Sequence, residues 1–234
     1  MKSTIQDKNK IVNSVFSEVH KKYDLMNDIM SFGVHRTWKK KFVDWMQPQF
    51  NSKLIDVAAG TGDIARLFLN KSNNTGEITC IEPNIKMLEQ GKKKTSKFKN
   101  ILWINSEAEK IPTNDNMYDY YSISFGIRNV SNINSSLREA FRVLKPGGRF
   151  MCLEFSKIDN EVLKYFYSQY SKTIPHIGKL IVGSEKPYKY LIDSIEKFYN
   201  QEDLSKLMSK NGFSKIEYRN LSYGIAAIHS GWKI

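Results

Sequence analysis

The stretch Leu54-Ile55-Asp56-Val57-Ala58-Ala59-Gly60-Thr61-Gly62-Asp63 carries an apolar strand directly into a turn of small residues that then opens a helix. Residues without bulky side chains let a ligand approach the backbone, and a helix N-terminus offers unpaired N–H groups. Such a turn cradles a nucleotide-like cofactor, and two ligand classes compete for it. Gly60-x-Gly62-x-x-Ala65 fits a dinucleotide fingerprint, with Glu82 about twenty residues beyond Gly62 as the acid expected on a ribose. By that spacing NAD is admissible. Asp56, placed before the turn, instead suggests S-adenosylmethionine, whose ammonium group wants a carboxylate where a pyrophosphate would be repelled.

Outward from the turn, hydrophobic alternation and chain breakers give a regular order. Residues 5–46 read as helices, with an apolar stripe of Ile11, Val12, Val15, Phe16 and Val19, a prefix suited to covering a cleft. Strands at 53–58, 77–82, 101–105, 118–125 and 149–155 follow, with helices at 63–70, 84–93 and 132–144 between them and a Lys145-Pro146-Gly147-Gly148 turn before the last. A final helix, 201–211, ends at Asn211-Gly212, and strands 214–221 and 224–230 come after it. Too little chain separates these two strands for a crossover, so they form an antiparallel hairpin around Tyr223-Gly224. The pattern predicts one α/β domain over residues 1–234, Rossmann-like, with a mostly parallel seven-stranded sheet of the class I methyltransferase kind. A dinucleotide-binding domain would continue with parallel strands, so the hairpin counts for S-adenosylmethionine. Residues 158–200 read as a helical insertion on the substrate side, rich in Tyr165, Phe166, Tyr167, Tyr170, Tyr188 and Tyr190.

Composition bounds the remaining possibilities. At 234 residues the chain is large enough to bury a core without staples, and its two cysteines, Cys80 and Cys152, sit inside apolar runs as reduced core thiols of a cytosolic protein would. No apolar run approaches the ~18 residues needed to span a bilayer, so a soluble protein is expected. A net charge of +12 raises nucleic acid or an anionic membrane surface as partner. The lysines, however, are spread along the chain among many asparagines, and the cluster Lys92-Lys93-Lys94-x-x-Lys97-x-Lys99 reads as a solvated face. No metal-ligating constellation is read.

In open α/β sheets ligands bind outside the carboxyl ends of the strands, so the residues closing each strand are the candidates. After the first strand, Gly60, Thr61 and Gly62 would approach the amino acid end of the cofactor beside Asp56. Glu82 closes the second strand and offers two acceptor oxygens to the ribose hydroxyls. Glu107, after the third, could meet an adenine amino group. Ser124 closes the fourth, and Gly126-Ile127-Arg128-Asn129 follows where a transferred methyl group would emerge.

Two longer blocks make a family recognisable: Tyr23-Asp24-Leu25-Met26-Asn27-Asp28-Ile29-Met30-Ser31-Phe32-Gly33-Val34-His35-Arg36-Thr37-Trp38 and Arg142-Val143-Leu144-Lys145-Pro146-Gly147-Gly148-Arg149-Phe150-Met151-Cys152-Leu153-Glu154-Phe155-Ser156. With Ser124-Phe125-Gly126-Ile127-Arg128-Asn129-Val130 and Ala227-Ile228-His229-Ser230-Gly231-Trp232, they carry a resemblance that runs from about residue 11 to the end. The chain resembles the ubiquinone/menaquinone biosynthesis C-methyltransferases, the UbiE/COQ5 family. The resemblance implies cofactor positions at Thr61, Glu82, Glu107, Ala108 and Ser124. It departs from the family at Ala59, which stands where glycine is usual, and at Glu82 and Glu107, where shorter acids or, at 107, an amide are common.

The resemblance further implies S-adenosylmethionine-dependent methylation of a ring carbon on a polyprenylated quinol. Arg128 is then the candidate for stabilising a phenolate or ordering the water that takes its proton, Asn129 for orienting the ring, and Tyr23 for closing over the methyl donor. His35 and Asp24 are weaker candidates as proton acceptors, and Glu154 reads as structural. A prenyl tail must be drawn from a membrane, so a peripheral position at the inner face of the membrane and an apolar groove walled by residues 165–170 with Ile174, Ile177, Tyr188 and Leu191 are expected. A quinone-biosynthesis protein complex and a homodimer are compatible with this reading. Two rivals stand beside it. An RNA methyltransferase rests on the basic charge but lacks the Asn/Asp-Pro-Pro-aromatic cluster used on base nitrogens, and a non-catalytic scaffold would have no need of the cofactor residues.

Overall fold

The computed structural model describes residues 5–19, 23–31, 33–158 and 161–234. Three helices lead: α1 (Ile5–Val19), α2 (Tyr23–Ser31) and α3 (His35–Met46). The core alternates β1 (Lys53–Val57), α4 (Asp63–Lys71), β2 (Glu77–Ile81), α5 (Ile85–Thr95), β3 (Ile101–Ile104), β4 (Tyr118–Ser124), α6 (Ile133–Val143) and β5 (Leu144–Phe155). Two inserted helices, α7 (Glu161–Val182) and α8 (Lys186–Glu196), precede α9 (Gln201–Lys210), β6 (Ser214–Leu221) and β7 (Ala226–Trp232). The strands form one seven-stranded sheet in the order β3-β2-β1-β4-β5-β7-β6. β1 to β5 are parallel, while β7 runs antiparallel to both β5 and β6. The last two strands form the expected hairpin, turning through Ser222, Tyr223 and Gly224, all at positive φ. It is β7, not β6, that docks on β5, so the antiparallel strand lies one place in from the edge.

Parity along the strands decides which side chain meets which layer. Leu54, Ile78, Cys80, Tyr120, Met151, Leu153 and Phe155 join one core with Trp38, Phe42 and Met46 of α3 and Ile64, Phe68 and Leu69 of α4. Ile55, Val57, Ile81, Tyr121, Ile123, Phe150 and Cys152 join the other, with Leu137 and Ala140 of α6 and Leu204 and Met208 of α9. Asp56 has the parity of Leu54 and therefore points to the side of α3 and α4. Asparagine caps set the starts of three helices: Asn84 accepts from Met87 N at 3.1 Å, Asn132 from Ser135 N at 3.0 Å and Asn200 from Asp203 N at 2.8 Å.

The insertion corrects one expectation. Ile174, Tyr188 and Leu191 are not walls of an open groove but belong to the core beside Trp38 and Phe155. Burying each contributes about 1.5–3 kcal/mol, which favours filling the core over lining a channel. Tyr167 is half-buried and donates its hydroxyl to Met30 O at 3.3 Å, and Tyr170 donates to Ile29 O, so the two tyrosines clasp α2 to α7. Tyr165 and Phe166 stay exposed, 60% and 64%, with their rings edge to face. The side chain of Ile177 lies outside the described residues, as do those of Ile11, Val19, Tyr23 and Asp24. Among the described residues no helix is long and apolar enough to cross a membrane.

Candidate active site

The strand order reverses between β1 and β4, so the chains leaving their carboxyl ends diverge and open a cleft. Two backbone positions shape it. Ala58 and Phe125, each just past its strand, adopt the left-handed region with φ 51° and 55°. A Cβ on Gly126 would meet the Ala58 Cβ at 2.5 Å, so the two loops pass this closely because residue 126 has no side chain. The strained alanine is thus Ala58; Ala59 keeps a negative φ and donates its N–H to Ile81 O at 3.1 Å. Replacing the family's glycine at 59 costs this turn nothing in conformation.

The cleft holds a cavity of about 270 Å³. Ala58, Gly60, Glu82, Glu107, Ala108, Phe125, Gly126 and Asn129 border it, and Lys10, Val12, Asn13 and Phe16 of α1 close it from above. α1 is fastened there by Asn84, whose side-chain amide donates to Ser17 Oγ at 2.8 Å and to Asn13. A smaller recess of about 20 Å³ continues past Gly60, bordered by Asp56, Thr61, Asp63, Ser124 and Lys39. Glu107 is exposed at the cleft edge, and Ala108 is buried.

Asp56 is buried, and Ser122 Oγ donates to its Oδ1 at 2.7 Å, while Oδ2 has no hydrogen-bond partner among the described residues. Burial pushes its pKa up to about 7, against the pull of Ser122 and of Lys39. Ser124 Oγ is likewise buried and has no hydrogen-bond partner among the described residues. Unsatisfied buried polar atoms are costly, so a carboxylate oxygen and a hydroxyl left open on one recess give it chemistry that suits a charged ligand end. A sulfonium donor with an ammonium group fits this set.

Glu82 is also buried, with its pKa pushed up to about 7 by that burial. Its Oε2 accepts from Gly60 N at 2.8 Å and its Oε1 from Asn84 N at 2.9 Å. A carboxylate offers about four acceptor positions, so two remain for ribose hydroxyls. The glycine turn therefore differs from the open cradle expected. Gly60 N–H is committed to Glu82, and Gly62 N–H returns to Ala59 O at 2.9 Å. Thr61 is buried beside the recess, and its Oγ1 accepts from Lys94 Nζ at 3.2 Å.

Arg128 and Asn129 sit in a short 3-10 turn, Ile127–Asn129, directly after β4. Arg128 is buried and does not border the cleft. It forms an ion pair with Glu154 at the end of β5, donates to Phe125 O at 2.9 Å, and lies over the Phe155 ring with 5.5 Å to the centroid. Asn129 borders the cleft, and its Oδ1 accepts from Tyr190 of α8 at 3.0 Å. His35 is buried and bonds Asp28 at 2.9 Å. Burial together with Lys39 lowers its pKa.

Two residues of the site and one pairing escaped the sequence. Lys39 was hidden by its charge, although it shares the apolar face of α3 with His35, Trp38, Phe42 and Val43. A lysine at a buried helical position was the available signal. Asn84 was masked by its role as a helix cap, and the Arg128–Glu154 pairing needed the three-dimensional adjacency of β4 and β5.

A seven-stranded sheet with β7 antiparallel, an open carboxylate near the end of β1 and an acid after β2 define an S-adenosylmethionine-dependent methyltransferase of class I. Solved structures share this fold: a Thermotoga maritima enzyme described as a SAM-dependent methyltransferase, possible histamine N-methyltransferase, has a TM-score of 0.67 at 20% identity, over 95% of this chain and 100% of that one. A SAM-dependent methyltransferase from Aquifex aeolicus has a TM-score of 0.62 at 17% identity, over 84% and 89%. The chain belongs to the ubiE/COQ5 methyltransferase family, whose model matches residues 3–233. It is 48% identical to the ubiquinone/menaquinone biosynthesis C-methyltransferase UbiE of Rickettsia bellii, over 97% of this chain and 94% of that protein. The protein of the same name from Brucella abortus is 45% identical, over 97% and 87%. The chain is accordingly an S-adenosylmethionine-dependent C-methyltransferase.

Proposed function

We propose that the chain methylates a ring carbon of a polyprenylated quinol, a 2-methoxy-6-polyprenyl-1,4-benzoquinol, a demethylmenaquinol or both, in ubiquinone or menaquinone biosynthesis. The names of the relatives point there, and one observation supports it. The cavity that borders the donor-side residues Gly60 and Glu82 also borders Phe125, Gly126 and Asn129, and Asn129 is tied to Tyr190 of the insertion. An aromatic substrate entering past the inserted helices would meet the methyl donor at this loop.

The bound cofactor supplies an electrophilic methyl group on a sulfonium. The chain must make the ring carbon nucleophilic. With a phenolic pKa near 10, ionisation at pH 7 costs about 4 kcal/mol, and a fixed positive charge in a buried setting reduces that cost. Arg128 is that charge. Glu154 pairs with its guanidinium and offsets part of that charge, so Arg128 would act on the ring at a distance, through the turn it shares with Asn129, whose amide would orient the phenol. Tyr23, at the start of α2, would close over the donor from the N-terminal side. Asp56 would hold the ammonium, Glu82 the ribose, and Glu107 with Ala108 the adenine.

The exposed Tyr165 and Phe166 on α7, with the net charge of +12, suit a transient visit to anionic lipid at the inner membrane face, from which the tail would be drawn. The assay is methyl incorporation from labelled S-adenosylmethionine into each reduced, demethylated quinol. Incorporation into at least one is expected; none into either overturns the substrate assignment.

A further inference from the structure

An amino acid end carries two opposite charges, and Asp56 answers only one of them. The cofactor's carboxylate needs a cation or free N–H donors close to the ammonium site. The turn offers few: the N–H groups of Gly60 and Gly62 are already bonded to Glu82 Oε2 and Ala59 O. Lys39 is the one cation among the described residues that itself lines the recess holding Asp56, Thr61 and Ser124, while Lys94 bonds Thr61 Oγ1 at 3.2 Å without lining it. It is only 6% exposed, a rare state for lysine unless the charge is matched. Its Nζ donates to Asp63 Oδ2 at 2.8 Å, and Asp63 is held in turn by Arg66 at 2.6 Å.

We propose that Lys39 binds the α-carboxylate of S-adenosylmethionine, with Asp63 as the positioning residue that holds its ammonium at the wall of the recess. An ammonium has three donors and Asp63 takes one, which leaves two for a ligand. Asp63 does not cancel the site, because Arg66 shares its charge. The arrangement reads from the fold: Asp56 has the strand parity that faces α3, and Lys39 lies on the face of α3 that meets it. Lys39 thereby links the helical prefix to the cofactor, a role that no residue of the glycine turn can fill.

This inference rests on the cofactor site and not on the identity of the quinol, so failure of the quinol assay would leave it standing. The test is isothermal titration of the ligand-free protein with S-adenosylmethionine and with its decarboxylated form, which differ by the carboxylate alone. Lys39→Met is expected to weaken S-adenosylmethionine by about 10- to 100-fold, the loss typical of a charge-assisted hydrogen bond, and the decarboxylated ligand by less than about 2-fold. Because the single substitution strands Asp63 in a buried place, Lys39→Met/Asp63→Asn is titrated in parallel and should show the same ligand selectivity. Equal weakening of both ligands would reduce Lys39 to a structural ion pair. Unchanged S-adenosylmethionine affinity would also overturn the assignment.

Discussion

On the donor side of the cleft the polar groups stand at the ends of central strands, in a sheet whose side chains are buried on both faces. On the acceptor side the wall is helical, α8 behind Asn129, joined to the rest by the hydroxyl bond from Tyr190 to Asn129, while α1, fastened by Asn84 to Ser17, closes the cavity over residues of both sides. The first construction holds charge in place at a cost in desolvation, visible in the raised pKa of Asp56 and Glu82. The second stores little energy per contact and leaves Tyr165 and Phe166 in solvent. A rigid donor site with a lightly fastened substrate wall suits one fixed small cofactor and one long, variable substrate.

The buried Arg128–Glu154 pair anchors the turn that carries Asn129, and breaking it gives the largest expected effect. Removing one partner of a buried pair leaves the other charge unpaired, at about 3–5 kcal/mol. Arg128→Ala should therefore lower stability by that amount in urea denaturation and abolish turnover. Arg128→Met/Glu154→Leu removes both charges, and replacing a buried pair by apolar side chains is often neutral or stabilising. The double variant should recover most of the stability yet remain inactive with either quinol. Turnover near the wild-type rate in that variant would make the pair purely structural and leave the phenolate without its cation.

The donor side should also respond to pH, in two opposite senses. Asp56 and Glu82 have folded-state pKa values of about 7, above the ordinary carboxylate range near 4, so between those values the folded protein holds protons that the unfolded chain has lost. Their contribution to stability is full at low pH and is lost as pH rises towards about 7. If Asp56 holds the ammonium as proposed, affinity for S-adenosylhomocysteine should run the other way, rising through the same window as Asp56 ionises. His35 and His229, whose buried rings have lowered pKa values, add stability with rising pH, so the useful quantity is a difference between variants. Asp56→Asn should flatten the affinity profile, cut S-adenosylhomocysteine binding at pH 8 by about 10- to 100-fold, and raise the stability of the ligand-free protein there. An unchanged affinity profile would remove Asp56 from the ammonium site.

The donor side was largely legible in the sequence because its logic is local: a strand, a turn and a helix in order, with Asp56 and Glu82 each at a strand end. The sheet was legible for the same reason, since period-two runs and the short link at Tyr223-Gly224 leave little choice of topology. The acceptor side was not. An aromatic run such as Tyr165 to Tyr170 looks the same whether it lines a groove, clasps a helix or faces solvent, and the structure divides it among the last two. Tyr188 and Leu191 read as wall residues because a sequence shows apolar character but not which apolar surface it meets. Lys39 is the converse case, a charge whose burial only the packing of α3 on α4 and β5 reveals.

The smallest expected effect sharpens the comparison most, because it separates positioning from binding. Tyr190→Phe removes one hydroxyl and keeps the ring, so α8 should stay packed and the cost should be about one hydrogen bond, ~1 kcal/mol. If the Tyr190–Asn129 bond orients the quinol, that cost appears in kcal/mol of transition-state stabilisation, a several-fold drop in kcat/KM for the quinol. Titration with S-adenosylhomocysteine should be unchanged, since Tyr190 touches Asn129 and borders none of the donor recess. Were cofactor affinity to fall in step with turnover, the two sides of the cleft would be one coupled unit, and the division between a rigid donor site and an adaptable acceptor wall would have to be abandoned.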